Sequence, residues 1–548
     1  MKLIPSGGQR IVMLLAFWGV VLAHAQSPND SNFLSTLGEL RQASYDDKAS
    51  IIERLAQTNH PSVRAVLGAL LEDRLYFRNS DQKVFVVKTA DADPLELIDP
   101  LSLKAAGSTS ADSMTKINTN NALRRTLRMT VAHFALASPD VSVRLDAVQE
   151  MSKSLDPPAV AMLRERMGVE TNARVKQEIA TALALAELDS SNSKARLAAI
   201  DVLSHSLSSD VRNRLALLLE KSPEGTFTES DGNVRGAAAK AIQKIDRWRT
   251  FYSGFETLFF GLSLGSVLVL IAIGLAITFG VMGVINMAHG ELMMLGAYTT
   301  YVVQTAMPGY IGISILVAIP AAFVVAGLAG VLMERTIIRF LYGRPLETLL
   351  ATFGVSLILQ QLVRSIFSAL NRSVVTPDWM SGSLRLNDAL AITYNRLYIV
   401  IFTLAVFALL QLILKRTRIG LDIRAVSQNR AMAKAMGIRT EWVDAMTFGL
   451  GSGVAGVAGV ALSQLTNVGP NLGQSYIIDS FLVVVFGGVG NLWGSLIGGM
   501  SMGIVNKLLE PYAGAVLAKI FVLIALILFI QIRPRGLFPK SGRAGEDK

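Results

Sequence analysis

The stretch Gly261–Val303, GLSLGSVLVLIAIGLAITFGVMGVINMAHGELMMLGAYTTYVV, decides the fold class. Two apolar runs flank a joint, INMAHGE (Ile285–Glu291), which puts Asn286, His289 and Glu291 where hydrocarbon is the expected solvent. Ionisable side chains at such depth are costly unless paired, so they mark either interior anchoring or function.

The composition agrees with a membrane reading. Half of the 548 residues are hydrophobic and only 17% are charged, too few for an ordinary soluble protein. From Leu258 onward, apolar runs of about 20 residues recur, the length that spans a bilayer as a helix. Residues 251–548 hold 21 Lys and Arg against 13 Asp and Glu, so +8 of the total +10 lies there. These cations cluster in ERTIIRFLYGR (334–344), KRTRIGLDIRAVSQNRAMAKAMGIR (415–439) and RPRGLFPKSGR (533–543). Such loops are expected to be cytoplasmic, and the charge implies no nucleic-acid partner. Cysteine is absent, which excludes disulfides and thiolate chemistry.

At the N-terminus, Lys2 and Arg10 precede the 13-residue apolar run Ile11–Ala23, with Ala23-His24-Ala25 as a small-x-small site. Residues 1–25 therefore read as a secretory signal peptide, and 26–250 as an exported, soluble domain. Within that domain a polar turn, Val-Arg or Ala-Arg, and an apolar helix recur: HPSVRAVLGALLEDRL, SPDVSVRLDAVQEMSKSL, TNARVKQEIATALALAEL, NSKARLAAIDVLSHSL and DGNVRGAAAKAIQKI. This spacing predicts a HEAT-like α-helical repeat domain, whose exposed faces would dock another protein. LYFRNSDQKVFVVKT (75–89) predicts a small β-hairpin turning at Asn79-Ser80-Asp81, and DPLELIDPLSLKAAGSTSADS (93–113) a loop. His60, His133 and His205 lack helical partners for a metal. Arg64, Arg144 and Arg212 read as ion pairs within repeats or solvated heads.

In 251–540 we place spans at 257–279, 284–304, 311–333, 348–368, 397–414, 443–465, 476–490, 492–509 and 515–532, leaving 541–548 as a cytoplasmic tail. Two joints, FGVMGVINMAHGE and FGGVGNLWGS, are too tight for ordinary loops. They predict broken or re-entrant helices facing the protein interior, and their likeness suggests an internal repeat. The chain is thus expected to be all-α, a polytopic membrane bundle behind a helical-repeat domain. GLGSGVAGVAGVAL predicts close helix packing. It lacks the Lys-Ser/Thr ending of a phosphate-binding loop. Between Arg424 and Gly437 a short amphipathic helix capped by Gly437 suits a groove on a cytoplasmic partner.

GLAITFGVMGVINMAHGELMMLGAY, RIGLDIRAVSQNRAMAKAMGI, DSFLVVVFGGVGNLWGSLIGG and RPRGLFP together resemble the permease subunits of branched-chain amino acid ABC transporters. GRPLETLLATFGVSLILQQ (343–361) and QLTNVGPNLGQSYIIDSF (464–481), with the long exported extension, resemble more narrowly the urea permeases of that family. The resemblance implies an importer in the bacterial inner membrane with two cytoplasmic ATPases, a second permease subunit and a periplasmic binding protein, surrounded by lipid. It implies no enzyme activity, metal or cofactor in this chain, since ATP chemistry belongs to the partner. Arg424, Ala425, Gln428, Asn429, Ala433, Met436 and Gly437 would form the ATPase coupling helix. Substrate-pathway candidates are Asn286, His289, Glu291, Asn467, Asn471, Gln474 and Asn491. Asn286 and Asn491 read equally as helix caps, and His289 and Glu291 as interior anchors. Alternatives to a urea permease are a permease for branched-chain amino acids or short amides, and a membrane receptor with an exported helical sensor.

Overall fold

A computed structural model describes residues 28–538 apart from 59, 91, 222, 224 and 225. The expected signal peptide and the 541–548 tail lie outside the described residues. The chain divides into two compact units, one reaching Ser206 and resuming at Asp210–Ile242, the other comprising Leu207–Ser209 and everything from Gln243.

The first unit opens with α1 (Pro28–Glu39), α2 (Tyr45–Gln57) and α3 (Val63–Leu71). Phe33, Leu37, Ile52, Leu55, Leu67 and Leu70 form its core. Here the all-α expectation needs correction. Strands β1 (Leu75–Arg78), β2 (Val84–Val87), β3 (Leu95–Ile98), β4 (Ala105–Thr109) and β5 (Met114–Lys116) make an antiparallel sheet in the order β4-β3-β2-β1-β5. The expected hairpin is its β1–β2 pair, with Tyr76 opposite Phe85. The segment expected as a loop supplies β3 and β4. Leu95 and Leu97 are buried on alternate positions, a half-buried strand's period too short to stand out among prolines and glycines.

Helices α4 (Asn121–Leu136), α5 (Val141–Met151), α6 (Pro157–Val169), α7 (Ala173–Glu187), α8 (Ser193–Leu203) and α9 (Ser209–Leu217) follow. Asn120, Asp140, Asp156, Asn172 and Asn192 cap five of them with side-chain oxygens. A recurring arginine device locks these turns. Arg144 donates to the Ser138 and Pro139 carbonyls at 2.8 and 3.0 Å and to Glu170 at 2.9 and 3.1 Å. Arg196 repeats it with the Ser190 carbonyl and Glu229, and Arg235 with the carbonyls of Glu229 and Ser230. Burial pushes the Glu170 carboxyl up. The Asn172 N–H and the guanidiniums of Arg166 and Arg144 outweigh it and hold the group down at about 2.

α10 (Gly232–Met282) begins in the first unit and ends in the second. The second unit continues with α11 (His289–Ala306), α12 (Ile311–Thr336), α13 (Pro345–Phe367), a hairpin of β6 (Ser383–Asn387) and β7 (Leu390–Thr393), α14 (Tyr394–Arg416), α15 (Arg418–Gln428), α16 (Arg430–Ala435), α17 (Thr440–Ser463), α18 (Gln474–Gly487) and α19 (Leu492–Ile532). Among the described residues, six helices are long and apolar enough to cross a membrane. α19 is 41 residues long, about 62 Å at helical rise, but its path breaks at Gly514 (φ 76°, ψ 163°) after Pro511. Its two arms fold back, since Asn491 at one end donates to the Phe538 carbonyl beyond the other at 3.3 Å.

Glycine decides how closely the central helices approach. α17 is buried along nearly its whole length. A Cβ at Gly456 would collide with the α12 backbone at Ala322, and one at Gly296 of α11 with Gly456 itself. No larger residue lets three helix backbones meet there, because the obstacles are main-chain atoms.

The two tight joints part company. The first, 283–288, is an interior break: Val284, Asn286 and Ala288 are buried. The second, 488–491, is half-exposed, contrary to expectation. Gly488 and Gly490, at φ 101° and 74°, reverse the chain there. Leu537 and Phe538 lie over it, donating to the Phe486 and Gly487 carbonyls that end α18. It is a turn between helices and not a broken span.

Candidate functional site: a polar joint where two short helices meet

α11 starts deep inside the unit. His289, its first residue, donates from Nε2 to the Ile271 carbonyl at 3.1 Å. Ile271 lies eleven residues before the end of α10, about 16 Å along its axis. The break therefore carries the chain inward as irregular backbone before α11 begins. The buried Gly473, just before α18, meets this start of α11. A Cβ on Gly290 would strike the Gly473 backbone, and one on Gly473 the Gly290 backbone and the Glu291 carboxylate. The N-termini of two short helices, 18 and 14 residues long, thus abut. The positive ends of both helix dipoles converge at this joint.

Glu291 occupies it. Its Oε1 accepts from Ser356 Oγ and Gln360 Nε2, both at 2.7 Å. Both donors belong to α13, on which Thr348, Thr352, Ser356 and Gln360 form a buried stripe spaced by four. The opposite face, with Leu346, Leu350 and Ile358, is exposed. A spacing of four keeps one face of a helix, so α13 turns polar groups inward and apolar groups out, as a membrane helix beside a polar interior does. Thr352 Oγ1 also accepts from the Met287 N–H at 3.1 Å, tying the stripe to the break.

Asn286 Oδ1 accepts from the Ala288 N–H at 3.0 Å, turning the break into α11. Asn286 Nδ2, His289 Nδ1 and Glu291 Oε2 are buried without a hydrogen-bond partner in the structure. They do not face one pocket: the His289 ring lies against α10 at Ile271 and Gly274, whereas Glu291 Oε2 faces Gly473.

The other pathway candidates lie elsewhere. Asn467 and Asn471 are exposed in the segment between α17 and α18, Asn471 accepting from Arg364 at 2.7 Å. Gln474 is exposed at the start of α18. Asn491 caps α19, accepting from the N–H groups of Trp493 and Gly494 at 3.1 and 3.3 Å. Sequence reasoning missed Thr352, Ser356, Gln360 and Gly473. The four-residue polar period of α13 could have shown the first three, whereas nothing local marks Gly473.

The expected helix over 424–437 is two helices. Asn429 (φ −152°, ψ 100°) breaks it, ending α15 and capping α16 by accepting from the Met432 N–H at 2.9 Å. Gly437 (φ 86°) does end α16, with Ile438 donating to Ala433. Ala433 is buried with Ile423, Val426 and Val443, and Ala425 packs against them, so both face inward. Arg424 bends back to the Leu414 carbonyl at 2.7 Å. The outward face carries Leu421, Gln428, Met432 and Met436, the last 77% exposed.

Comparison with known proteins places these features in a family. Residues 257–531 match the family described as branched-chain amino acid transport system / permease component. The high-affinity branched-chain amino acid transport system permease protein LivH of Salmonella typhimurium is 32% identical over 293 residues, 52% of this chain and 94% of its own. BraD of Pseudomonas aeruginosa, of the same description, is 30% identical over 296 residues, 52% of this chain and 96% of its own. The ribose import permease protein RbsC of Haemophilus influenzae is 24% identical over 254 residues, 45% and 74% respectively. No solved structure matches significantly. The relatives are transport components and not enzymes, and this chain belongs to the permease component family of branched-chain amino acid transport systems.

Proposed function

We propose that the chain is the urea-conducting permease subunit of an ABC importer, with the α11–α18 joint on the solute pathway. One observation carries the substrate reading. The two stretches that resemble urea permeases, 343–361 and 464–481, supply the groups around Glu291: Thr352, Ser356 and Gln360 from the first, Gly473 from the second. Urea is small and neutral, with four N–H donors and one carbonyl. Glu291 Oε2 would accept from it and Asn286 Nδ2 would donate to it. Half-helix termini meeting inside the membrane are a recurring way for transporters to present backbone dipoles to a solute.

Two cytoplasmic ATPases would supply the energy, docking on the outward face of α15 and α16. A second permease subunit would complete the pathway, and a periplasmic binding protein would deliver the solute. Residues 26–250 would be periplasmic, with α4–α9 a HEAT-like array whose turns the repeated arginine device stiffens, and the C-terminus cytoplasmic in the bacterial inner membrane. A second reading, import of branched-chain amino acids, is favoured by the names of the relatives. Uptake of labelled urea and labelled leucine in cells deleted for the gene separates the two. We expect urea uptake to fall and leucine uptake to persist, and the opposite result replaces the first reading by the second.

A further inference from the structure

The outward face of α15 and α16 can act on the pathway only if something rigid joins them. Short helices on a surface bury little apolar area, so packing alone holds them loosely. Ile423, Val426 and Ala433 pack on Val443 of α17, and one side chain adds a polar connection to that apolar contact. Arg430, the first residue of α16, pairs with both carboxylate oxygens of Asp444, which is buried near the start of α17. The same guanidinium donates to Tyr342 Oη at 2.7 Å and lies 4.0 Å from its ring centroid. Tyr342 sits in the connection between α12 and α13.

Each partner leads to the polar joint. α17 packs backbone to backbone on α11 at Gly456 and Gly459. α13, three residues beyond Tyr342, carries Ser356 and Gln360, which hold Glu291. A planar guanidinium suits this place, because its fork satisfies a carboxylate with two parallel bonds and its face stacks on an aromatic ring, neither of which an ammonium does. Asp444 is itself buried, so its carboxylate requires a cation at this spot.

We propose that Arg430 is the positioning residue that couples the cytoplasmic face of α15 and α16 to the Glu291 joint, by clamping α16 at once to α17 and to the α12–α13 connection through Asp444 and Tyr342. This rests on the reading of α15 and α16 as the ATPase docking surface. A movement imposed on α16 then displaces α17 and the base of α13 together, and with them the two helices that face α11.

The test uses the whole transporter, copurified with its ATPase and reconstituted in liposomes with its binding protein. Arg430→Lys keeps the charge that Asp444 needs, but loses the fork and the stacking. We expect it to retain the melting temperature, ATPase capture and basal ATP hydrolysis, while solute taken up per ATP hydrolysed falls at least tenfold. Tyr342→Phe, which removes one hydrogen bond and keeps the ring, should lower the same ratio a few-fold. Wild-type uptake per ATP in Arg430→Lys overturns the clamp, as does a loss of uptake fully matched by loss of the folded complex in both variants. Met436→Asp tests the underlying reading separately. It should abolish ATPase capture, and if capture survives, the docking surface lies elsewhere.

Discussion

Replacing Glu291 separates anchoring from solute contact. In Glu291→Ala, Ser356 Oγ and Gln360 Nε2 lose a shared buried acceptor. Left unmet, each donor would cost about 1–3 kcal/mol. Helix-to-helix hydrogen bonds within membranes measure nearer 0.6–2 kcal/mol, because freed groups find other partners there. Two bonds at that lower scale give a loss of about 1–4 kcal/mol. For a unit of about 300 residues, with an unfolding entropy of about 2.1 cal/mol/K per residue, that is a fall in melting temperature of roughly 1–2 °C for each kcal/mol. Glu291→Gln should behave differently. Its amide oxygen can still accept both bonds, so stability should stay within about 1 kcal/mol of wild type by the same scale. Its amide nitrogen, however, puts a donor in the place of the acceptor Oε2, facing Gly473, and uptake should fall at least tenfold. Thermal melts of the purified chain in detergent, paired with uptake in cells, measure the two effects. Wild-type stability in Glu291→Ala would falsify the anchoring by Ser356 and Gln360. Wild-type uptake in Glu291→Gln would remove Oε2 from the pathway.

Three further outcomes are expected. Gly473→Ala places a methyl group against the Gly290 backbone and the Glu291 carboxylate, so the termini of α11 and α18 must separate and uptake should be lost even where folded protein accumulates; retained uptake argues against the abutment. Asn491→Ala removes the acceptor of two N–H groups at the start of α19 and should cost about 1 kcal/mol, read as a melting shift with no change in solute preference. In the first unit, Glu170 has its folded carboxyl held down at about 2, below its ordinary value. Its contribution is therefore fully present above the unfolded value and is lost as pH falls toward 2. A thermal-unfolding series from neutral pH downward should show this loss, and Glu170→Gln should flatten that part of the profile. Equal acid sensitivity in the variant would place the titrating group elsewhere.

The legible part of the site was the part written locally. Asn286, His289 and Glu291 stand out because polar groups interrupt an apolar run, and the interior break at 283–288 follows from glycine and asparagine between two helical arms. The second joint resembled the first in sequence and proved to be a turn at the edge of the unit. Local glycine content allows a break but does not say which way the following helix runs. The 424–437 segment was correctly amphipathic, yet one asparagine divides it and sends Ala433 inward.

The sequence by itself determined that this is a multi-pass membrane protein, where its chain enters apolar surroundings and which polar residues go with it. Those properties depend on composition and on periods of a few residues. Only the tertiary structure decided that Ser356 and Gln360, 65 and 69 positions from Glu291, are its partners, that Gly473 meets Gly290, and that Arg430 grips Asp444 and Tyr342. Nothing local fixes such pairings. Buried polar groups must each find a partner, glycine lets backbones close upon one another, and which partner is within reach follows from how the helices cross.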